Sequence, residues 1–178
     1  YGELLVHYHE TFRDDSDGLY WHGLHISGND KDCVIKNNGV KWSRANAWLL
    51  LSMSMFLKQD VTDFGTVKLD AIRNQVLSIL KEQIQVLPRF QRPSGAFGNI
   101  VDDVSAPDET SLTSVFVFAC SVLDRYGQLD GDKRASAESA WNFIKTRRTN
   151  PVTFSLQDTC GGQPLSNNPN AYRSNVGM

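Results

Sequence analysis

The sequence predicts an all-α fold of paired helices arranged in two concentric layers. Three observations carry that expectation. Two segments, 44–58 and 109–124, are apolar on almost every side. Each is followed by a segment with a single apolar stripe. The order loop, buried helix, surface helix then recurs at a period of roughly 55–75 residues, which is the mark of stacked helical hairpins. Hairpins with one wholly buried and one half-buried helix describe an α/α toroid. The alternative is a simple solenoid, whose repeats are usually shorter and more alike.

The elements follow in order. Tyr1, Leu5, Tyr8 and Phe12 recur at spacings of three and four, so residues 1–13 are expected to form the end of an amphipathic helix. Asp14-Asp15-Ser16-Asp17-Gly18 breaks it, and residues 18–42 read as loop with a short extended piece at Leu19-Tyr20-Trp21. From Arg44 to Lys58 almost no polar face is left, and a helix apolar all round is expected to be buried all round. Residues 66–87 carry a stripe of Leu69, Ile72, Val76, Leu80, Ile84 and Leu87, closed by Pro88. A glycine-aromatic loop, Ser94-Gly95-Ala96-Phe97-Gly98, opens the second cycle. The second buried helix spans 109–124. The second striped helix spans 132–147, with Ala137, Ala140, Trp141 and Ile144 inward. After a third loop at Pro151-Val152-Thr153-Phe154, the chain to Met178 is rich in Gly, Asn, Pro and Ser, and no helix is expected there.

Composition narrows the function. The 178 residues, 40% hydrophobic and 21% charged, fit a soluble globular domain. The net charge is −2 and Lys and Arg form no run, so neither nucleic acid nor an anionic membrane surface is an expected partner. No segment reaches the ~20 apolar residues of a membrane span. Cys33, Cys120 and Cys160 are too few and too scattered for a disulfide framework, and none lies in a zinc-type pair. No signal peptide is visible in Tyr1-Gly2-Glu3, and compartment is left open.

The densest group of functional residue types is Trp42-Ser43-Arg44-Ala45-Asn46-Ala47-Trp48, where a loop enters a buried helix. A helix start favours anions, and Arg44 adds a planar fork that suits a carboxylate. Trp42 and Trp48 offer flat faces to a sugar ring. The competing reading makes both tryptophans core, pairs Arg44 with a local Asp, and spends Asn46 on the backbone. His7, His9, His22 and His25 all fall in the first 25 residues. Without an HExxH or CxxC pattern no metal is expected, and His22 is the better candidate for a ligand contact. Asp102, Asp103, Asp108 and Glu109 precede a buried helix and are the carboxylates placed to reach a central cleft, where a glycosidase needs them. The competing role for Asp108 is to cap that helix, with Glu109 serving its first turn.

An ordered series of motifs resembles one family. Asp17-Gly18-Leu19-Tyr20-Trp21-His22-Gly23, then Lys41 to Trp48, then Gln91, Ser94-Gly95, Val101-Asp102-Asp103 and Glu109-Thr110-Ser111 are similar to the unsaturated glucuronyl and rhamnogalacturonyl hydrolases, glycoside hydrolase families 88 and 105. The resemblance implies an (α/α)6 barrel and removal of a terminal 4,5-unsaturated uronic acid from pectin-type oligosaccharides, by protonation and hydration of an enol ether without any cofactor. It implies that His22, Trp42, Arg44, Asn46 and Trp48 line the sugar site.

The chain departs from the family pattern in three ways. An acid usual three residues after the loop His is replaced by His25. The family's general acid/base Asp belongs to a hairpin before residue 1. The chain also holds about three hairpins where a complete barrel has six. It is therefore expected to form one partial toroid domain over residues 1–178, lacking the N-terminal half of the barrel and inactive alone, with no catalytic residue assigned. Apolar faces left open by such a half-barrel favour self-association. A non-catalytic carbohydrate-binding or scaffold toroid is the alternative function.

Overall fold

A computed structural model of the chain describes residues 1–28, 34–59 and 67–176. Cys33 and Thr66, the expected start of the first striped helix, lie outside them. The helices are α1 (Gly2–Phe12), α2 (Ser43–Lys58), α3 (Val67–Val86), α4 (Thr110–Arg125), α5 (Gly131–Phe143) and the short α6 (Pro169–Arg173). Two small antiparallel pairs accompany them: β1 (Leu24–Ser27) with β2 (Val34–Asn37), and β3 (Phe97–Gly98) with β4 (Asp108–Glu109).

The two apolar segments, α2 and α4, pack side by side as one layer. On the other side α3 covers both, with α1 flanking α2 and α5 flanking α4. The main core lies between the layers: Leu50, Met53, Val76, Leu80, Ile84, Leu112, Phe116 and Leu123 are all fully or almost fully buried there. The stripe expected along α3 is this core's lower wall. Gln83 interrupts it, buried, and its amide donates to the carbonyl of Gly18 at 2.9 Å, tying the loop before α2 to the outer layer.

Both glycine-aromatic loops turn on a glycine that no other residue replaces cheaply. Gly18 and Gly95 have φ of +85° and +91°. A Cβ at Gly95 would lie 2.4 Å from the carbonyl oxygen of Ser139 on α5. The loop thus lies flat on the outer helix while Phe97, two residues on, drops into the core.

Four expectations need correction. The 18–42 segment is not all loop, since β1 and β2 form a hairpin with Leu24 opposite Asn37. Its strands are four residues each, too short for an alternation to be read. The apolar helices are not buried all round: Trp48 and Met55 on α2 are 61% and 49% exposed, and Ser121 on α4 is exposed. Trp141 faces outward, with its ring against the Lys145 ammonium at 5.7 Å. The C-terminal segment does hold a helix, α6, started by Pro169 at its first position and capped by Asn168, whose side chain accepts from the Asn170 amide at 3.0 Å.

Candidate functional site

The loop before α2 is stitched to the loop after β3. Ser43 N–H donates to Asn99 O at 3.0 Å, Val101 N–H to Lys41 O at 3.0 Å, and the Ser43 hydroxyl to Gly98 O. This fixes the first turn of α2 and aims its four side chains. Arg44 and Trp48, one turn apart, face the groove between α2 and α4. Asn46 faces the other way.

Asn46 is 3% exposed and fully engaged. Its oxygen accepts from Tyr20 N–H at 2.9 Å, and its nitrogen donates to Tyr20 O and Trp42 O, both at 3.0 Å. It clamps the Leu19-Tyr20-Trp21 strand to α2, with both amide protons engaged.

Trp42 is 5% exposed and belongs to a second, smaller core with Val40, Ile100, Ala106, Cys160 and Tyr172. Its indole N–H donates to Asn99 Oδ1 at 3.1 Å, and Asn99 in turn donates to the Tyr172 carbonyl. His22 stands edge-on to Trp42, ring centroids 4.6 Å apart, and its Nδ1 lies 2.7 Å from the Tyr172 hydroxyl. Asn38 donates to the same hydroxyl at 3.1 Å. Burial pushes the His22 imidazole below its ordinary pKa, so it is neutral at pH 7. Burial likewise pushes the Tyr172 phenol up, against the opposing effect of its hydrogen bonds with Ser166 and Asn38.

Tyr172, Asn99 and Asn38 were not singled out from the sequence. Tyr172 is 150 positions from His22 and sits in a segment of low apolar content. The one signal there was Asn168-Pro169, a helix-start pair. His25, at the place of the family acid, is exposed on the hairpin, and its Nε2 meets Asn167 Oδ1 at 2.9 Å.

Arg44 and Trp48 line a pocket of about 300 Å³ between α2 and α4. Ser111 and Ser114 form its α4 wall, and Leu156 and Thr159 its rim. The Arg44 guanidinium is 6.0 Å from the Trp42 ring centre and donates one long bond, 3.4 Å, to the Ser111 hydroxyl. Among the described residues no carboxylate stands within ion-pair distance of it. The local Asp of the competing reading is therefore not found.

The carboxylates are committed elsewhere. Glu109, fully buried, caps α4 by accepting from Ser111 N–H at 2.7 Å and Leu112 N–H at 3.0 Å, and takes the Cys160 N–H at 3.2 Å. Asp108 pairs with Arg92 and Asp103 with Arg173. Lys41, almost wholly buried, holds Asp14 at 2.6 Å, Asp17, and Asp102 at 3.7 Å, with the Trp21 ring 4.4 Å away. Burial opposes the Asp14 charge, but the bonds from Lys41 and Ser16 outweigh it and bring its pKa to about 2. Asp102, farther from the ammonium, is raised by burial instead. A larger cleft of about 480 Å³ runs past Arg89, Arg92, Asp102 and Asp103; Arg92 and Asp103 are ion-paired there, and Asp102 shares Lys41 with Asp14 and Asp17. Among the described residues no three His, Cys, Asp or Glu gather as metal ligands, and no helix is long and apolar enough to cross a membrane.

The sequence profile described as Glycosyl Hydrolase Family 88 matches residues 3–176. The chain belongs to that family. Its fold is correspondingly part of an α/α-barrel. Solved structures agree. A possible member of glycoside hydrolase family 105 from Klebsiella pneumoniae is similar with a TM-score of 0.78 at 22% identity, over 99% of this chain and 44% of that one. A possible member of the same family from Salmonella enterica gives 0.79 at 22%, over 99% and 44%. A family 88 glycosyl hydrolase from Bacteroides vulgatus gives 0.65 at 22%, over 91% and 44%. The chain thus spans less than half the length of these relatives. No curated protein matches it.

Proposed function

We propose that the Arg44–Trp48 pocket receives the terminal unsaturated uronic acid of a pectin-type oligosaccharide, and that this chain by itself binds such a sugar without cleaving it. One observation carries the first half: Arg44 is a cation with no carboxylate partner among the described residues, set beside an exposed indole in a pocket of monosaccharide size. A uronate supplies both missing partners, a carboxylate for the planar fork and an apolar ring face for Trp48. Trp42 and His22 back the guanidinium as a packed support. The second half rests on the pocket lining, in which no Asp, Glu or His stands among the described residues to move a proton. Membership of a glycoside hydrolase family supports the carbohydrate class; the uronate rests on Arg44.

The test uses unsaturated digalacturonate and the 178-residue chain. Calorimetric titration is expected to give saturable binding that Arg44→Ala removes. Absorbance of the conjugated enol ether is expected to stay constant over hours. Binding that survives Arg44→Ala overturns the assignment of the pocket, and loss of the absorbance overturns the claim that the chain only binds.

A further inference from the structure

The pocket between α2 and α4 takes its third side from the stretch 156–160, and the chain holds that stretch firmly. Thr110 on α4 donates its N–H to Asp158 O at 3.2 Å and its hydroxyl to Gln157 O at 2.7 Å. Cys160 N–H reaches Glu109 at 3.2 Å, Gln157 N–H reaches Arg148 O at 2.8 Å, and Asp158 pairs with Arg148 at 2.9 Å. The hairpin leading into it, bridged from Thr149 to Leu156, is fixed at its tip as well. There the Asn150 side chain accepts from Val152 N–H at 2.9 Å and Thr153 N–H at 3.0 Å, and Phe154 N–H donates to Asn150 O at 2.9 Å. Leu156 thus stands on a tethered backbone. Of the described residues that line the pocket, two are exposed: Trp48 at 61% and Leu156 at 47%. They mark its mouth, one on α2 and one on the hairpin.

A volume of about 300 Å³ holds one sugar ring, so with the terminal uronate on Arg44 the next ring of an oligosaccharide must lie at this mouth. A pyranose offers hydroxyls along its edge and C–H groups on its face, and the face gains by covering apolar surface. An exposed leucine on an open surface needs no explanation, but one at the mouth of a pocket is covered whenever a ligand longer than the pocket enters. We propose that Leu156 is a specificity-determining contact for the second sugar: the C–H face of that ring lies on Leu156 where the chain passes out of the pocket. The proposal rests on the uronate reading of the pocket and adds to it a preference for an oligosaccharide over a lone uronate.

The test is calorimetric titration of the 178-residue chain with two ligands, unsaturated digalacturonate and the methyl glycoside of the same unsaturated uronate, which has no second sugar. The unsubstituted chain is expected to bind the disaccharide about tenfold tighter than the glycoside. Leu156→Ala is expected to weaken the disaccharide about fivefold and to leave the glycoside unchanged, with no shift in the denaturation midpoint because the side chain is half exposed. Leu156→Met, which keeps the apolar volume, is expected to bind the disaccharide as the unsubstituted chain does. Equal losses for both ligands in Leu156→Ala, or no loss for either, overturn the role of Leu156 while binding that still depends on Arg44 leaves the uronate pocket standing. Failure of the unsubstituted chain to bind either ligand overturns the pocket reading, and the role of Leu156 falls with it.

Discussion

Two regions meet at the first turn of α2 and are built on opposite rules. In the His22–Trp42–Tyr172 cluster each ring is packed edge-on and each named polar group has found a partner within the chain. In the Arg44–Trp48 pocket the indole is 61% exposed and the guanidinium has one long hydrogen bond. The same residue types serve both. What separates them is whether the polar groups are already satisfied: satisfied groups hold the loops on the barrel, and unsatisfied ones are, in the function proposed above, completed by a ligand. Substitutions in the first region should therefore be felt as stability, and those in the second as binding.

Trp42→Ala should have the largest effect. It empties a site 5% exposed and releases Asn99 Oδ1, so a loss of about 4 kcal/mol in urea unfolding is expected, in the range for large aromatic truncations. A loss below about 1 kcal/mol would mean that Trp42 does not organise this end of the molecule. Asn46→Ala comes next. It strands Tyr20 N–H and Tyr20 O away from water, while Trp42 O keeps the backbone N–H of residue 46, and about 2–3 kcal/mol is expected.

Tyr172→Phe removes one oxygen that His22, Asn38 and the Ser166 backbone share, and about 1–2 kcal/mol is expected. His22 adds a pH signature. The unfolded imidazole titrates near 6.5 and the folded one lower, so between the two values the unfolded chain holds more protons. The part of stability due to His22 is present above 6.5 and is lost as pH falls through that window. His9 is lowered in the same direction, also by burial, so total stability alone does not isolate the effect. The measurable quantity is the difference in unfolding free energy between the unsubstituted chain and His22→Gln. It should shrink from pH 7.5 to pH 5.5; a constant difference would mean that the folded imidazole is not held neutral.

This contrast also marks what could be read from the sequence. Helix positions came from periodicity, since the stripe Val76, Leu80, Ile84, Leu87 can only be a half-buried helix. The glycine-aromatic loops were read from composition, and the positive φ of Gly18 and Gly95 explains why glycine stands there. Arg44 and Trp48 were named from the sequence together with His22, Trp42 and Asn46; that the two share the groove between α2 and α4 follows from their one-turn spacing in the structure. The supports were not. Tyr172, Asn99 and Asn38 reach Trp42 and His22 from loops that carry no period, so nothing local announces the meeting. Asn46 shows the limit of local reading: two residues from both Arg44 and Trp48, it is turned more than half a helical turn away from them and its side chain bonds the Tyr20 and Trp42 backbone. The exposure of Trp48 and Met55 was also hidden, because apolarity records what a helix can bury and not which neighbour covers it.

The smallest expected change in stability is the most telling for the comparison. Trp48 leaves 61% of its surface to solvent, and Arg44 makes no ion pair among the described residues, so Trp48→Ala and Arg44→Ala should each move the unfolding free energy by less than about 0.5 kcal/mol. Against unsaturated digalacturonate the same two variants should differ sharply from the unsubstituted chain. Arg44→Ala should abolish detectable binding, since a charge-assisted bidentate contact is worth about 1.5–3 kcal/mol and has no substitute in this pocket. Trp48→Ala should weaken binding by about fivefold, the value of one lost ring face. If Trp48→Ala instead destabilised the chain as Trp42→Ala does, the indole would be a packed element, and the boundary drawn here between scaffold and pocket would move to its other side.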